Sequence, residues 1–97
     1  MERKFELGKL VVTRGVHDLM EVDEHFMSFV QMSLSRHMSC DWGDLCESDA
    51  KQNEEALKNS DARLFSAYKY DHVPDGKIWI ITEWDRSATT ILFSSEY

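Results

Sequence analysis

The stretch Lys77-Ile78-Trp79-Ile80-Ile81-Thr82-Glu83-Trp84 decides how this chain folds. The five residues after Lys77 are apolar or β-branched, with no polar alternation. Such a run reads as a central strand covered on both faces. Just before it, Val73-Pro74-Asp75-Gly76 reads as a type I turn, with Pro at its second position and Gly at the left-handed one. The turn predicts a hairpin back to residues 64–70, an aromatic-rich strand. After Trp84, Asp85-Arg86-Ser87 turns the chain and residues 88–93 make a last strand.

Upstream the period changes. Residues 7–13 read as a short strand, broken by Arg14-Gly15. Val16, Leu19 and Met20 form a short helical stripe, and Phe26, Phe29, Val30, Ser33, Leu34 and His37 form a longer one, with Asp23 as its N-cap or first-turn acid and an end near Met38. Asp41-Trp42-Gly43-Asp44 has the composition of a turn. Ser48 is placed to cap a third helix carrying Ala50, Asn53 and Leu57, ended by Asn59-Ser60-Asp61. The order is β-α-α-α-β-β-β. It predicts one α+β domain over residues 1–97, with an antiparallel sheet of about four strands and helices packed on one face. That outline also occurs in small ribonuclease toxins of the RelE kind.

The 97 residues are 42% apolar, enough for one core. No apolar run approaches about 20 residues, so no membrane contact is expected. Met1-Glu2-Arg3-Lys4-Phe5-Glu6 leads into no hydrophobic segment of a signal peptide. A cytoplasmic location follows, with Cys40 and Cys46 as reduced thiols. The net charge of −7 is uneven: residues 41–61 carry Asp41, Asp44, Glu47, Asp49, Glu54, Glu55 and Asp61 against Lys51 and Lys58. Acidity disfavours direct nucleic-acid binding and suits a protein partner with a basic surface. It also serves plain solubility.

Nearly the whole chain resembles a family of small proteins carried by plasmids, prophages and integrative elements, known as plasmid-related hypothetical proteins. The resemblance lies in Glu6-Leu7-Gly8-Lys9-Leu10-Val11, Arg36-His37, Asp41-Trp42-Gly43-Asp44, Asn53, Ala56-Leu57, Arg63-Leu64, Ser66-Ala67-Tyr68, Lys77-Ile78-Trp79-Ile80-Ile81-Thr82-Glu83, Asp85-Arg86-Ser87, Thr89-Thr90 and Glu96-Tyr97. It implies a bacterial cytoplasmic protein that travels with mobile DNA, and no particular activity. Cys40 stands where the family usually has Gly, and Trp84 where it has a small residue, which weakens any role for the cysteine.

The chemical constellations are thin. His37, Cys40 and Cys46 fall within ten residues, but their spacing is not that of a zinc knuckle, so no metal and no cofactor are expected. Cys40 beside Asp41 and Asp44 lacks the electropositive setting of a reactive thiol. Glu83, Asp85 and Arg86 read either as a clasp on the last hairpin or as an acid/base pair with a phosphate-binding Arg. Trp42 reads as a core plug or as an interface anchor flanked by carboxylates. Asn53 and Tyr68 read as buried polar groups in need of partners.

These readings point first to a non-enzymatic protein that inhibits a defence nuclease, a restriction or CRISPR effector, through Asp41, Trp42, Asp44, Glu47, Asp49, Glu54 and Glu55. The alternatives are a ribonuclease-like toxin using Glu83, Asp85 and Arg86, and a small regulatory dimer. Monomer and homodimer both stay open.

Overall fold

The computed structural model describes residues 4–59 and 62–97. Ser60 and Asp61, expected to end the third helix, lie outside the described residues. The elements follow the expected order. They are β1 (Lys9–Val12), α1 (Arg14–Val22), α2 (Glu24–Met38), α3 (Glu47–Asn59), β2 (Leu64–Lys69), β3 (Lys77–Thr82) and β4 (Ala88–Phe93), with short 3-10 turns at Pro74–Gly76 and Ser94–Glu96.

The four strands form one sheet in the order β1-β4-β3-β2. β2, β3 and β4 make the antiparallel meander. β1 joins parallel to β4, so the sheet is mixed and not purely antiparallel. Three helices separate β1 from β2, so no tight turn imposes a direction on it. Gly8 (φ +65°) brings the chain against Ser87, whose carbonyl accepts from the Lys9 N–H, and a Cβ there would lie 2.3 Å from the Ser87 backbone.

Arg14 and Gly15 open α1 instead of breaking the chain before it. Asp23 caps α2 as expected, its carboxylate accepting from the His25 and Phe26 N–H groups. α3 begins at Glu47, one residue before the expected cap Ser48. The turn before β3 is type II: Asp75, its third residue, has φ 61° and ψ 6°. Asp tolerates that left-handed place better than most side chains.

α1 and α2 cover one face of the sheet. Val16, Phe26 and Val30 pack there against Tyr68, Ile78, Ile80, Ile91 and Phe93. A second cluster, Trp42, Ala56 and Leu64 with Phe5, Cys40, Leu45, Ala50 and Leu57, sits where α3 meets the β2 edge. β3 is central, yet only one of its faces is under helices. On the other, Trp79 packs against Phe65 of β2 and against the C-terminal Tyr97.

Candidate functional sites

The Asp-Trp-Gly-Asp turn is built into the fold. The C-terminus of α2 ends in a Schellman arrangement: the Cys40 N–H donates to the His37 carbonyl and the Asp41 N–H to the Arg36 carbonyl. Cys40 therefore holds φ 65°, a place that favours Gly. The chain then runs along the outer edge of β2. The Ala67 N–H donates to the Trp42 carbonyl (3.2 Å), the Asp44 N–H to the Ala67 carbonyl (2.7 Å), and the Lys69 N–H to the Asp44 carboxylate (3.0 Å). Gly43 (φ +74°) is required there, because a Cβ would sit 2.1 Å from the Ala67 oxygen. Asn53 completes the edge: its amide accepts from the Phe65 N–H (3.0 Å) and donates to the Phe65 carbonyl (2.6 Å). All three outward N–H groups of β2 are thus occupied.

This placement sorts the expected partner-binding residues. Trp42 is 7% exposed and belongs to the second core cluster, so it is a core plug. Its indole N–H donates to Glu54 (3.2 Å). Asp41 pairs with Arg36 at 2.7 Å, which holds its carboxyl below the usual carboxylate range. Its carbonyl accepts from the Tyr68 hydroxyl (2.7 Å), the partner that buried tyrosine needed. Asp44 is exposed but has one oxygen on the Lys69 N–H. Glu47, Glu54 and Glu55 are exposed and Asp49 is half-buried. None of these four has a cation within 4 Å among the described residues. Lys51 and Lys58 share the outer face of α3 with them, four residues from Glu47, Glu54 and Glu55.

Glu83, Asp85 and Arg86 do not converge. Arg86, itself at φ 60°, donates to four carbonyls: Ala62 (2.8 Å), Glu83 and Trp84 (both 3.1 Å), and Ala56 at the end of α3 (3.2 Å). The clasp exists, but on carbonyls and not on the two acids. Asp85 accepts from the Ser87 N–H, and its bonds with Ser87 hold its carboxyl below the usual range. A guanidinium with this many carbonyl partners has no free fork for a phosphate.

No protein-family model, curated protein or solved structure matches this chain.

The buried polar chain under α2 was not visible as a unit in the sequence. His37 is fully buried, with Nδ1 2.6 Å from Ser66 Oγ and Nε2 2.9 Å from Thr82 Oγ1. Thr82 Oγ1 lies 2.8 Å from Thr89 Oγ1, which donates to the Leu7 carbonyl (2.8 Å). The proton directions follow from that carbonyl. Thr89 uses its proton on Leu7, so Thr82 donates to Thr89 and accepts from His37 Nε2–H. Nδ1 is left to accept from Ser66. The ring is neutral, and burial pushes its pKa down to about 3. Both nitrogens being engaged, His37 does not activate Cys40, whose thiol is pushed up chiefly by burial and further by Glu54. Among the described residues, no three of His, Cys, Asp and Glu gather as a metal-binding group.

Proposed function

We propose that this chain is a non-enzymatic interaction protein of a mobile genetic element, inhibiting a defence nuclease by docking carboxylates on its basic surface. One observation carries this reading. The residues expected to do chemistry are tied into the fold, whereas Glu47, Asp49, Glu54 and Glu55 stand on α3 with no cation within 4 Å among the described residues. The docking set is therefore these four with Asp44; Asp41 and Trp42 serve the loop and the core. The mobile-element setting is supported by the sequence resemblance alone.

The test is a phage-plating assay in hosts carrying a restriction or CRISPR system. Expression should restore plating, and the E47K/E55K double variant should lose that protection while melting like the parent. Equal protection by the variant, or none by the parent, overturns the reading. Binding to the captured effector should also weaken as salt rises.

A regulatory dimer is the second reading. β1 is a four-residue edge strand, and Leu10 and Val11 are 49% and 37% exposed. Among the described residues nothing caps its outer side.

A further inference from the structure

The sheet face turned away from α1 and α2 carries rings and cations together. The register places Lys69 directly opposite Lys77 on that face, a like-charge cross-strand pair that is unfavourable by itself. Trp79 and Phe65 lie beside it, ring centroids 5.0 Å apart, and Tyr97 lies 5.7 Å beyond Trp79. Arg63 closes the row, its guanidinium 5.3 Å from the Tyr97 ring centre and donating to the Tyr97 hydroxyl. No strand residue pointing to this side is acidic, and among the described residues no carboxylate lies within 4 Å of Arg63, Lys69 or Lys77. From Arg63 to Lys69 the row is about 20 Å long at strand rise.

We propose that this face binds single-stranded nucleic acid, its bases stacking on Trp79 and Tyr97 and its phosphates meeting Lys77 and Arg63. What a partner can touch here decides the class. Around this row the aliphatic side chains Ala67, Ile81 and Leu92 are at most 6% exposed, so what a partner meets there is aromatic ring and cationic head; Val11, 37% exposed, shares the face only at the far β1 edge. Rings stack with any base, and cations displace the counterions of a phosphate chain. A second copy docked face to face with its twofold axis near the Lys69–Lys77 pair would set two such pairs against each other. Asp44 and Asp49 line a cleft on the β2 side together with Lys69, Lys77 and Trp79, and Asp49 also borders Arg63. The strand therefore runs along the β4 side of Lys77 and Trp79, away from the β2 edge that carries the two carboxylates. The net charge of −7 opposes approach from afar but does not describe this face. The surface adjoins Asp44 and Asp49 but not Glu47, Glu54 or Glu55, so the E47K/E55K variant tests the docking reading without touching this face.

The experiment is fluorescence anisotropy of labelled oligo-dT and oligo-U of about 12 nucleotides, with a duplex of the same length as control. Single strands should bind with Kd on the order of 10⁻⁵ M at low salt, and log Kd should rise with log salt with a slope of about 2, two to three phosphates being neutralised. Trp79→Ala should weaken binding about tenfold or more. Lys77→Glu, which leaves the ring packing alone, should do the same, and E47K/E55K should not weaken it. Four outcomes overturn the proposal: no anisotropy change up to about 10⁻⁴ M protein, duplex bound as well as single strand, folded K77E binding like the parent, or Trp79→Ala altering only self-association in sedimentation.

Discussion

Lowering the pH from 7.5 to 4.5 should destabilise this fold by about 2.7 kcal/mol through His37 alone. The ring is buried, neutral and bonded at both nitrogens, with a folded pKa near 3 against an ordinary 6.5. The unfolded chain therefore takes up a proton as the pH falls below 6.5 while the folded one does not. Stability is complete above 6.5 and falls by about 1.4 kcal/mol per pH unit toward 3. Two of the three units from 7.5 to 4.5 lie inside that window, and the result holds for any folded value well below 4.5. The lowered carboxyls, Asp41, Asp85 and Glu96, lose their share only as pH falls below their own ordinary range near 4. Between 6.5 and 4.5 the slope therefore belongs to His37. The assay is urea unfolding of the parent and of His37→Gln at several pH values. His37→Gln should be less stable at pH 7.5 and should show a much flatter slope. A parent slope below about 0.3 kcal/mol per pH unit, or an equal slope in the variant, would refute the reasoning.

Other consequences concern the loop and the clasp. Asn53→Ala should cost about 2–3 kcal/mol, because it strands a covered N–H and a carbonyl of Phe65; amide exchange at Phe65 should rise with it, and a loss under about 0.5 kcal/mol would contradict the edge-capping role. Gly43→Ala, whose Cβ meets the Ala67 oxygen and the Tyr68 ring, should destabilise by about 3 kcal/mol or more in the same urea assay. Arg86→Lys should cost nearly as much as Arg86→Ala, since an ammonium does not span carbonyls from four residues; a fully stable Lys variant would show that the clasp is dispensable. With a thiol-specific reagent on the folded protein, exposed Cys46 should label well before Cys40.

The element order was legible because the hydrophobic period changes twice, at Arg14-Gly15 and again near residue 63. The inward residues of α2, Phe26, Val30, Ser33 and His37, lie on the predicted stripe. Asn53 and Tyr68, read as buried polar groups, found backbone partners. The parallel pairing of β1 was not legible, since no local residue pattern sets the direction of a strand returning after three helices. A segment count of carboxylates also gave no directions: Asp41 turns back to Arg36 across the helix end, and Asp44 turns onto the Lys69 N–H. The hydroxyl chain had a faint signal. Ser66 sits between inward Leu64 and Tyr68, Thr82 two residues after Ile80, and Thr89 two before Ile91. Their closeness appears only with the register, which pairs Thr82 with Thr89 and sets Ser66 opposite Ile80, one step along the same face.

The two edges of the sheet are treated differently, and that asymmetry limits how the protein can grow. β2 has its outward N–H groups taken by Trp42, Asp44 and Asn53, so an incoming strand would first have to strip off the loop that also anchors a core tryptophan. Its register with Gly43 is held by a contact too tight for any Cβ. At β1 the outward N–H groups of Leu10 and Val12 meet no partner among the described residues. Strand addition by a second copy is therefore confined to β1, where antiparallel pairing about a twofold axis would join two four-stranded sheets into one of eight. Such a contact is only four residues long, too small alone for a stable dimer. It would need the exposed Leu10 side chain to be covered as well. A chain that stays monomeric at high concentration, with Leu10→Lys changing nothing in sedimentation, would remove this edge from consideration and leave the protein to act through its faces.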